Sequence, residues 1–314
     1  MKQALQIPSR GKCRLLWTQG LYAEIAKNYE SNPIYRDIFI KGSRRMDLNS
    51  IYYTSLLHLG REEDILKAKS EIIKLKDFGI LPFFLELNKF AIDILRIPPN
   101  STMSKAYDAI HNLTSFKPID TFWANHCNNT KIAIVGNAPF ENKKGEFIDK
   151  SDVVFRFNNF KISGFENFIG SKTDVWCHIC DICPTGNSTD IYDSVNIDIL
   201  TDNPLNVPIG KYFLESITKT KKEFYYIPQE LTIRLSNTLN AIPSSGIRLL
   251  MSLCKYRETC NIHYSIFGFS FTKSNYNKNL FDHYFEIKKE TKERAHNIQN
   301  EVDLLKKAFN SHQS

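Results

Sequence analysis

The chain is short of long apolar runs, of dense basic blocks and of an even cysteine set, and each shortage closes off a class of protein. Its first residues, MKQALQIPSRGKCRLLW, hold no continuous apolar core of the kind a secretory leader needs. The most hydrophobic stretch, Gly79 to Ile97, is interrupted by Glu86, Lys89 and Asp93, which suits a buried helix and not a membrane span. The expectation is therefore a soluble, cytoplasmic protein. No basic block interleaved with aromatics occurs, so nucleic acid is not an expected partner. The seven cysteines form an odd set, at positions 13, 127, 177, 180, 183, 254 and 260, and reduced thiols are expected rather than a disulfide framework. Disorder is excluded by 42% hydrophobic content over 314 residues, enough for a large core. The 41 Lys+Arg against 34 Asp+Glu leave a net charge of +7, a modest excess that suits anionic ligands or acidic lipid headgroups.

What is present divides into two patterns. From about Leu15 to Leu95 apolar residues recur at helical spacing: Leu21, Ile25, Ala26 and Tyr29 form one stripe, and Ile65, Ala68, Ile72, Ile73 and Leu75 another. Asp47 or Asn49 could cap a helix over Ile51 to Leu57, with Gly60 ending it, and Phe83 to Ile97 continues the pattern. This gives an all-helical N-terminal region over 1–120, read as helical hairpins of a solenoid-like kind without a fixed period and as a packing extension. Pro98-Pro99-Asn100-Ser101 lies near the boundary. The second region, 121–314, alternates short apolar runs with helical or polar stretches. Candidate strands are Ile132 to Val135, Val153 to Phe157, Asp174 to Ile179, Asn196 to Leu200, Phe224 to Ile227 and His263 to Phe267. A helix is expected over Ile247 to Tyr256, and one over Thr291 to Phe309 with Ile298, Val302, Leu305 and Phe309 inward. The fold class is α/β: an open, mainly parallel sheet covered by helices, with ligands at the carboxyl ends of the strands.

Within that region, Lys131 to Thr173 is the organising stretch. The run Ile132 to Val135 turns at Gly136-Asn137, where the backbone can approach a ligand and the Asn amide can donate to it. Arg156 and Asn158 flank Phe157 in the next run and so share one face of a strand. Pro243-Ser244-Ser245-Gly246 precedes an apolar helical run, and hydroxyls and N–H groups at a helix N-terminus suit an anion, although ordinary capping explains the same residues. His283 and His296 could divide work between a phosphate donor and a base, since imidazole serves either role near physiological pH. The rival signal is Cys177-His178-Ile179-Cys180-Asp181-Ile182-Cys183-Pro184, spaced like part of an iron–sulfur run or, with His178, a zinc site. No fourth local cysteine follows before Cys254, and we read the triplet as buried thiols at a strand end, with no metal.

The order V-G-N, F-R-F-N, G-F-E, G-S-K-T across this stretch resembles the large motif of the sialyltransferases of the animal type. Ser244-Ser245-Gly246 with Phe267-Gly268-Phe269 resembles their small motif, His283-Tyr284 the third, and His296 to Glu301 the His-x4-Glu motif. The resemblance implies a Rossmann-like GT-A variant and donor-nucleotide contacts at Gly136, Asn137, Asn158, Ser244, Ser245 and Gly246. It further implies a phosphate contact at His283, the base at His296, and supporting roles for Arg156, Tyr284 and Glu301; Arg156 is read as bracing the fold, and Glu301 as fixing loop or helix geometry. The animal enzymes join their large and small motifs by a disulfide. Here Ile132 stands at the first cysteine position and Cys260 near the second, so that crosslink is expected to be absent, with Cys127 the neighbouring alternative. No Asp-x-Asp triplet occurs, in keeping with the family's metal independence and no cofactor.

The reaction expected is inverting, metal-independent transfer of sialic acid from CMP-sialic acid to a hydroxyl of a glycan or glycolipid acceptor. The alternatives are another CMP-activated 2-keto acid sugar such as Kdo or, in a different class, a non-catalytic nucleotide- or metal-binding module. Since the animal relatives are membrane-anchored, the expected setting is microbial surface-glycan synthesis, of lipopolysaccharide or capsule, with peripheral association at the inner face of the membrane.

Overall fold

The computed structural model describes residues 10–31, 46–77, 85–98, 116–139, 142–180, 194–203, 213, 217, 222–269 and 296–310. Among the described residues six helices come first: α1 (Arg10–Thr18), α2 (Tyr22–Glu30), α3 (Met46–His58), α4 (Glu62–Lys67), α5 (Lys69–Asp77) and α6 (Leu85–Asp93). Their apolar stripes meet in one core, with Trp17, Ile25, Ala26, Tyr29, Tyr52, Leu56, Ile65, Ile72, Leu87 and Phe90 buried. The expected caps of α3 do not form, because the helix already begins at Met46 and takes Asp47 and Asn49 inside it. Asn49 instead accepts a hydrogen bond from the Tyr29 hydroxyl of α2. Gly60, at φ +67°, ends the turn after α3 in the left-handed region that glycine enters without strain. Ile73 of the second stripe is 38% exposed, so the buried face of that stripe rests on Ile65 and Ile72.

The described residues from Phe116 onward build a seven-stranded sheet whose pairs are all parallel, in the order β1-β6-β5-β4-β3-β2-β7. The strands are β1 (Phe116–Pro118), β2 (Lys131–Val135), β3 (Val153–Phe157), β4 (Val175–His178), β5 (Ile197–Leu200), β6 (Glu223–Tyr226) and β7 (His263–Phe267). Helices α7 (Ile119–His126), α8 (Gly145–Asp149), α9 (Glu166–Ile169), α10 (Gln229–Leu239), α11 (Ser245–Tyr256) and α12 (Ile298–Asn310) complete it. The six strands expected from apolar runs are all present, and the α/β parallel-sheet class holds. Near-continuous apolar strands belong in such a sheet because both faces are covered. On one face Ile132, Ile134, Phe155, Phe157, Val175, Cys177 and Ile199 pack with α7, α11 and Leu305 of α12. On the other, Ala133, Val135, Val154 and Trp176 meet Ile148 and Ile169, while Leu200 and Phe224 meet Cys180 and Phe213. The two regions touch where Gln19 donates to Asn240 at 3.4 Å and Gly20 faces Ile233 of α10. No described helix is long and apolar enough to cross a membrane.

The strand order sets where a ligand would sit. From β2 the chain winds through β3, β4, β5 and β6 in one direction, then returns to place β7 on the other side of β2. That reversal makes the carboxyl ends of β2, β3 and β7 the topological switch point, where open parallel sheets bind ligands.

Candidate functional site

Three loops and one helix start meet at the switch point. Gly136 N–H donates to Phe267 O at 2.8 Å and Ala138 N–H to Gly268 O at 2.8 Å, zipping the turn after β2 to the turn after β7. A Cβ on Gly136 would stand 2.4 Å from Gly268 O and 2.9 Å from the Phe269 ring, so the position admits only glycine. The same ring covers Gly246 at the start of α11, where an added Cβ would be 2.4 Å away, and meets Phe157 edge-on at 5.7 Å. Phe269 thus packs between the β2 turn and the α11 N-terminus, a contact that sequence spacing alone does not reveal.

The two asparagines are held with opposite polarity. Asn137 Nδ2 donates to Phe157 O at 2.9 Å and Asn159 O at 3.0 Å. Two carbonyls can only accept, so the amide proposed to donate to a ligand is already engaged, and Oδ1 is the group with no donor among the described residues. Asn158 sits at φ +46°, with its N–H on Cys177 O, its carbonyl on Trp176 Nε1, and its Oδ1 accepting from Ile179 N at 3.2 Å. Among the described residues its Nδ2 has no acceptor, which leaves both hydrogens for a ligand. Arg156, 1% exposed, gives five hydrogen bonds to Ile169 O, Gly170 O, Lys172 O twice and Thr173 Oγ1. It braces the Gly170 to Thr173 turn through Nε and Nη2.

At the helix start, Ser244 caps α11 with its Oγ accepting from Ile247 N at 3.3 Å. Glu301 grips the same residue from α12: Oε1 accepts from Ser244 N at 2.8 Å and Oε2 from Ser244 Oγ at 2.7 Å. The Ser244 hydroxyl proton is therefore committed, whereas Ser245 shares its hydroxyl with Thr201 Oγ1 at 2.9 Å. With Ile247 N capped, the N–H groups of Ser245 and Gly246 are those that a helix start leaves without an intrahelical partner. Burial pushes the Glu301 carboxyl above its ordinary range, opposed by the two Ser244 bonds and the nearby His296 and Arg248.

His296 lies just outside α12, which begins at Ile298 and not at Thr291; Asn297 accepts from Asn300 N at 3.2 Å and starts the helix. Residues 291–295 lie outside the described residues, as do His283 and Tyr284. The exposed His296 ring donates from Nδ1 to Ile242 O at 2.7 Å. A carbonyl accepts only, so Nδ1 carries the proton, and in the neutral ring Nε2 is an acceptor facing no described donor. Asn300 Nδ2 reaches Leu239 O at 3.3 Å, so His296, Asn300 and Glu301 all fasten onto the segment 239–244 before α11. Since His296 precedes the helix, its five-residue distance from Glu301 imposes no helical-face constraint.

Cys177 and Cys180 do not converge. Cys177 points into the α11 face of the sheet, its thiol pushed well up by burial and by Asp198, while Cys180 packs with Leu200 and Phe213 on the opposite face. Cys183 lies outside the described residues, and among those described no group of three or more His, Cys, Asp and Glu could hold a metal ion. Cys127 and Cys260 are both free and buried, and Asn129 N–H to Cys260 O at 2.9 Å ties their loops together. Burial takes the Cys127 thiol up to about 12, Thr130 opposes this, and Cys260 adds to it.

Residues 88–193 match the model of glycosyltransferase family 29 (sialyltransferase). That segment holds Gly136, Asn137, Arg156 and Asn158 and ends before Ser244, His283 and His296. The class these observations define is a glycosyltransferase. The resemblance read from the motifs is to the same family as this match, which covers residues 88–193. Two of the solved structures similar to this chain serve as examples; one is the crystal structure of a mammalian sialyltransferase, at 19% identity over 74% of this chain and 88% of that one with a TM-score of 0.42. The other is a mammalian sialyltransferase in complex with Gal-beta-1-3GalNAc-ortho-nitrophenol, at 19% identity over 71% and 82% with a TM-score of 0.42. No curated protein matches.

Proposed function

We propose that this protein transfers sialic acid from its CMP ester to a hydroxyl of a glycan acceptor, with inversion and without a divalent metal. The observation that carries the reading is the tautomer of His296: Nδ1 is spent on Ile242 O, which leaves Nε2 as the acceptor beside the capped start of α11. In the reaction, the acceptor hydroxyl oxygen attacks the anomeric carbon as its proton passes to Nε2. The bond to the phosphate oxygen breaks on the opposite face, and CMP leaves with the electron pair. Charge develops on the phosphate, and the donors suited to it are the Ser245 and Gly246 N–H groups and Asn158 Nδ2. Asn137 Oδ1, an acceptor, suits a ribose hydroxyl or the cytosine amino group instead. His283 is assigned to the phosphate by resemblance. The absence of an Asp-x-Asp triplet supports a leaving group stabilised by these protein donors.

The test is CMP release from CMP-sialic acid and from CMP-Kdo, each with a panel of glycan acceptors and EDTA throughout. Acceptor-dependent release from CMP-sialic acid is expected. Release from CMP-Kdo alone would change the sugar, loss of release in EDTA would overturn metal independence, and failure to bind CMP would remove the donor-site assignment.

A further inference from the structure

We infer that Arg248 and Asp202 are a positioning pair for the donor site, keeping a crevice carboxylate neutralised while locking the start of α11 onto β5. The inference rests on the donor-site reading above. Neither residue belongs to the motifs, and they lie far apart in sequence.

Arg248 lies in the first turn of α11, where its neighbours Ile247, Leu249 and Leu250 are all core residues. An arginine with a 5% exposed side chain at such a place costs desolvation unless its charge is met. Nη1 donates to Thr201 O at 3.0 Å and is ion-paired with the Asp202 carboxylate, both at the carboxyl end of β5. Nε has no partner among the described residues, so the side chain is not there to satisfy all its own donors. Glu301 feels its charge from the other side. The same β5 end holds Ser245 through Thr201 Oγ1 at 2.9 Å.

Thr201 in turn is registered on β4, its N–H on His178 O at 2.9 Å, and the next residue of β4's exit, Ile179, donates to Asn158 Oδ1. One path of hydrogen bonds and a single peptide link therefore joins the asparagine side of the crevice to its helix side, running Asn158, Ile179, His178, Thr201 and then Ser245 with Arg248. Buried ion pairs are weak sources of stability but good at fixing one geometry. Asp202 gives the pair a second consequence. Its side chain is 16% exposed, at the strand end beside the α11 N-terminus where an anionic ligand would enter. With Arg248 in place its charge is cancelled; without it, an uncompensated carboxylate would repel a phosphate.

The experiment measures CMP affinity by calorimetry for the full chain and for Arg248→Met, Arg248→Lys, Asp202→Asn and the Arg248→Met/Asp202→Asn double variant, with melting temperature alongside. Arg248→Met should weaken CMP binding about 10-fold or more, and less at high salt. Arg248→Lys should recover part of the loss, and the double variant should return to within about 3-fold of the wild type, because the repelling charge is gone. A purely structural role would lower the melting temperature of both Arg248→Met variants without this rescue, and that outcome would overturn the inference. So would equal affinity of Arg248→Met and wild type. If the wild-type chain itself binds no CMP, the donor-site reading fails, and this inference with it.

Discussion

Polar side chains do different work in the two regions of the molecule. In the helical region they pair inside one core: Tyr29 stacks on Tyr52 with ring centroids 3.8 Å apart, the Tyr52 hydroxyl donates to Glu30 at 3.1 Å, and Tyr53 donates to Glu71 at 2.5 Å. In the sheet region they bridge distant segments, all but Arg156 at the carboxyl ends of the strands. Asn137 reaches the end of β3, Arg156 the Gly170 turn, Glu301 the cap of α11 and Arg248 the end of β5. A packing extension needs its polar groups only to satisfy one another. A ligand site needs them to hold loops still, because each loop at a strand's carboxyl end is otherwise free to move.

The sharpest way to break the comparison is at His296, whose side chain makes one backbone contact and whose loss should leave the fold intact. His296→Ala should reduce transfer roughly 10³-fold, within the range general-base catalysis supplies, with CMP affinity within about 3-fold of wild type. Steady-state release rates and a CMP titration measure the two. Transfer at the wild-type rate would sink the base assignment. Next in size is Arg156, whose removal leaves the carbonyls of Ile169, Gly170 and Lys172 without their donor. Arg156→Met should cost about 3 kcal/mol or more of unfolding free energy in urea, as for other losses of a buried polar network. A cost below about 1 kcal/mol would show that the turn holds itself and that bracing is not this residue's role.

How far these contrasts can be read without a structure depends on sequence distance. The strands from β2 to β7 are legible because Ile132 to Val135 or Val153 to Phe157 must be buried on both faces, and apolar runs announce that. β1 is not, since Phe116-Lys117-Pro118 has no run and exists by pairing with β6 more than a hundred residues later. Arg156 could be read as a brace, because a charged residue inside an apolar strand needs local partners. The polarity of Asn137 could not, because it is decided by carbonyls at Phe157 and Asn159. Sequence periodicity starts α12 too early for a similar reason: it runs on through His296, whose ring is tied to Ile242 before the helix begins. The caps expected for α3 do not form because local capping preference carries no trace of the Tyr29 hydroxyl that engages Asn49 within the helix.

A pH series tests the clamp that links α12 to α11. Glu301 has its folded carboxyl raised by burial, so between its unfolded value and the raised one the native state holds more protons than the unfolded chain. Stability should fall as pH rises through that window and recover as pH is lowered through it. Glu301→Gln should lose that dependence, because the amide does not ionise. At neutral pH it should also cost about 1–2 kcal/mol, since one of the two Ser244 donors then faces an NH2 group. Thermal unfolding at several pH values reads both; an unchanged slope in the variant would assign it to another group.

The smallest effect is expected in the helical region, and it is the one that decides whether the comparison holds. Tyr53 is 2% exposed and donates to Glu71, with its hydroxyl held well above the usual tyrosine range by burial, the Glu71 bond and its charge. Tyr53→Phe keeps the ring and removes the donor, leaving the Glu71 carboxylate to water. The loss should be about 1 kcal/mol, the net worth of a single such bond. Because the tyrosine's contacts stay within the helical core, CMP affinity and the transfer rate should not change. If either moved with so small a change in stability, the helical region would be coupled to the crevice, and the contact between Gly20 and Ile233 of α10 would be the route to examine, since α10 leads directly into the segment that His296 and Glu301 hold.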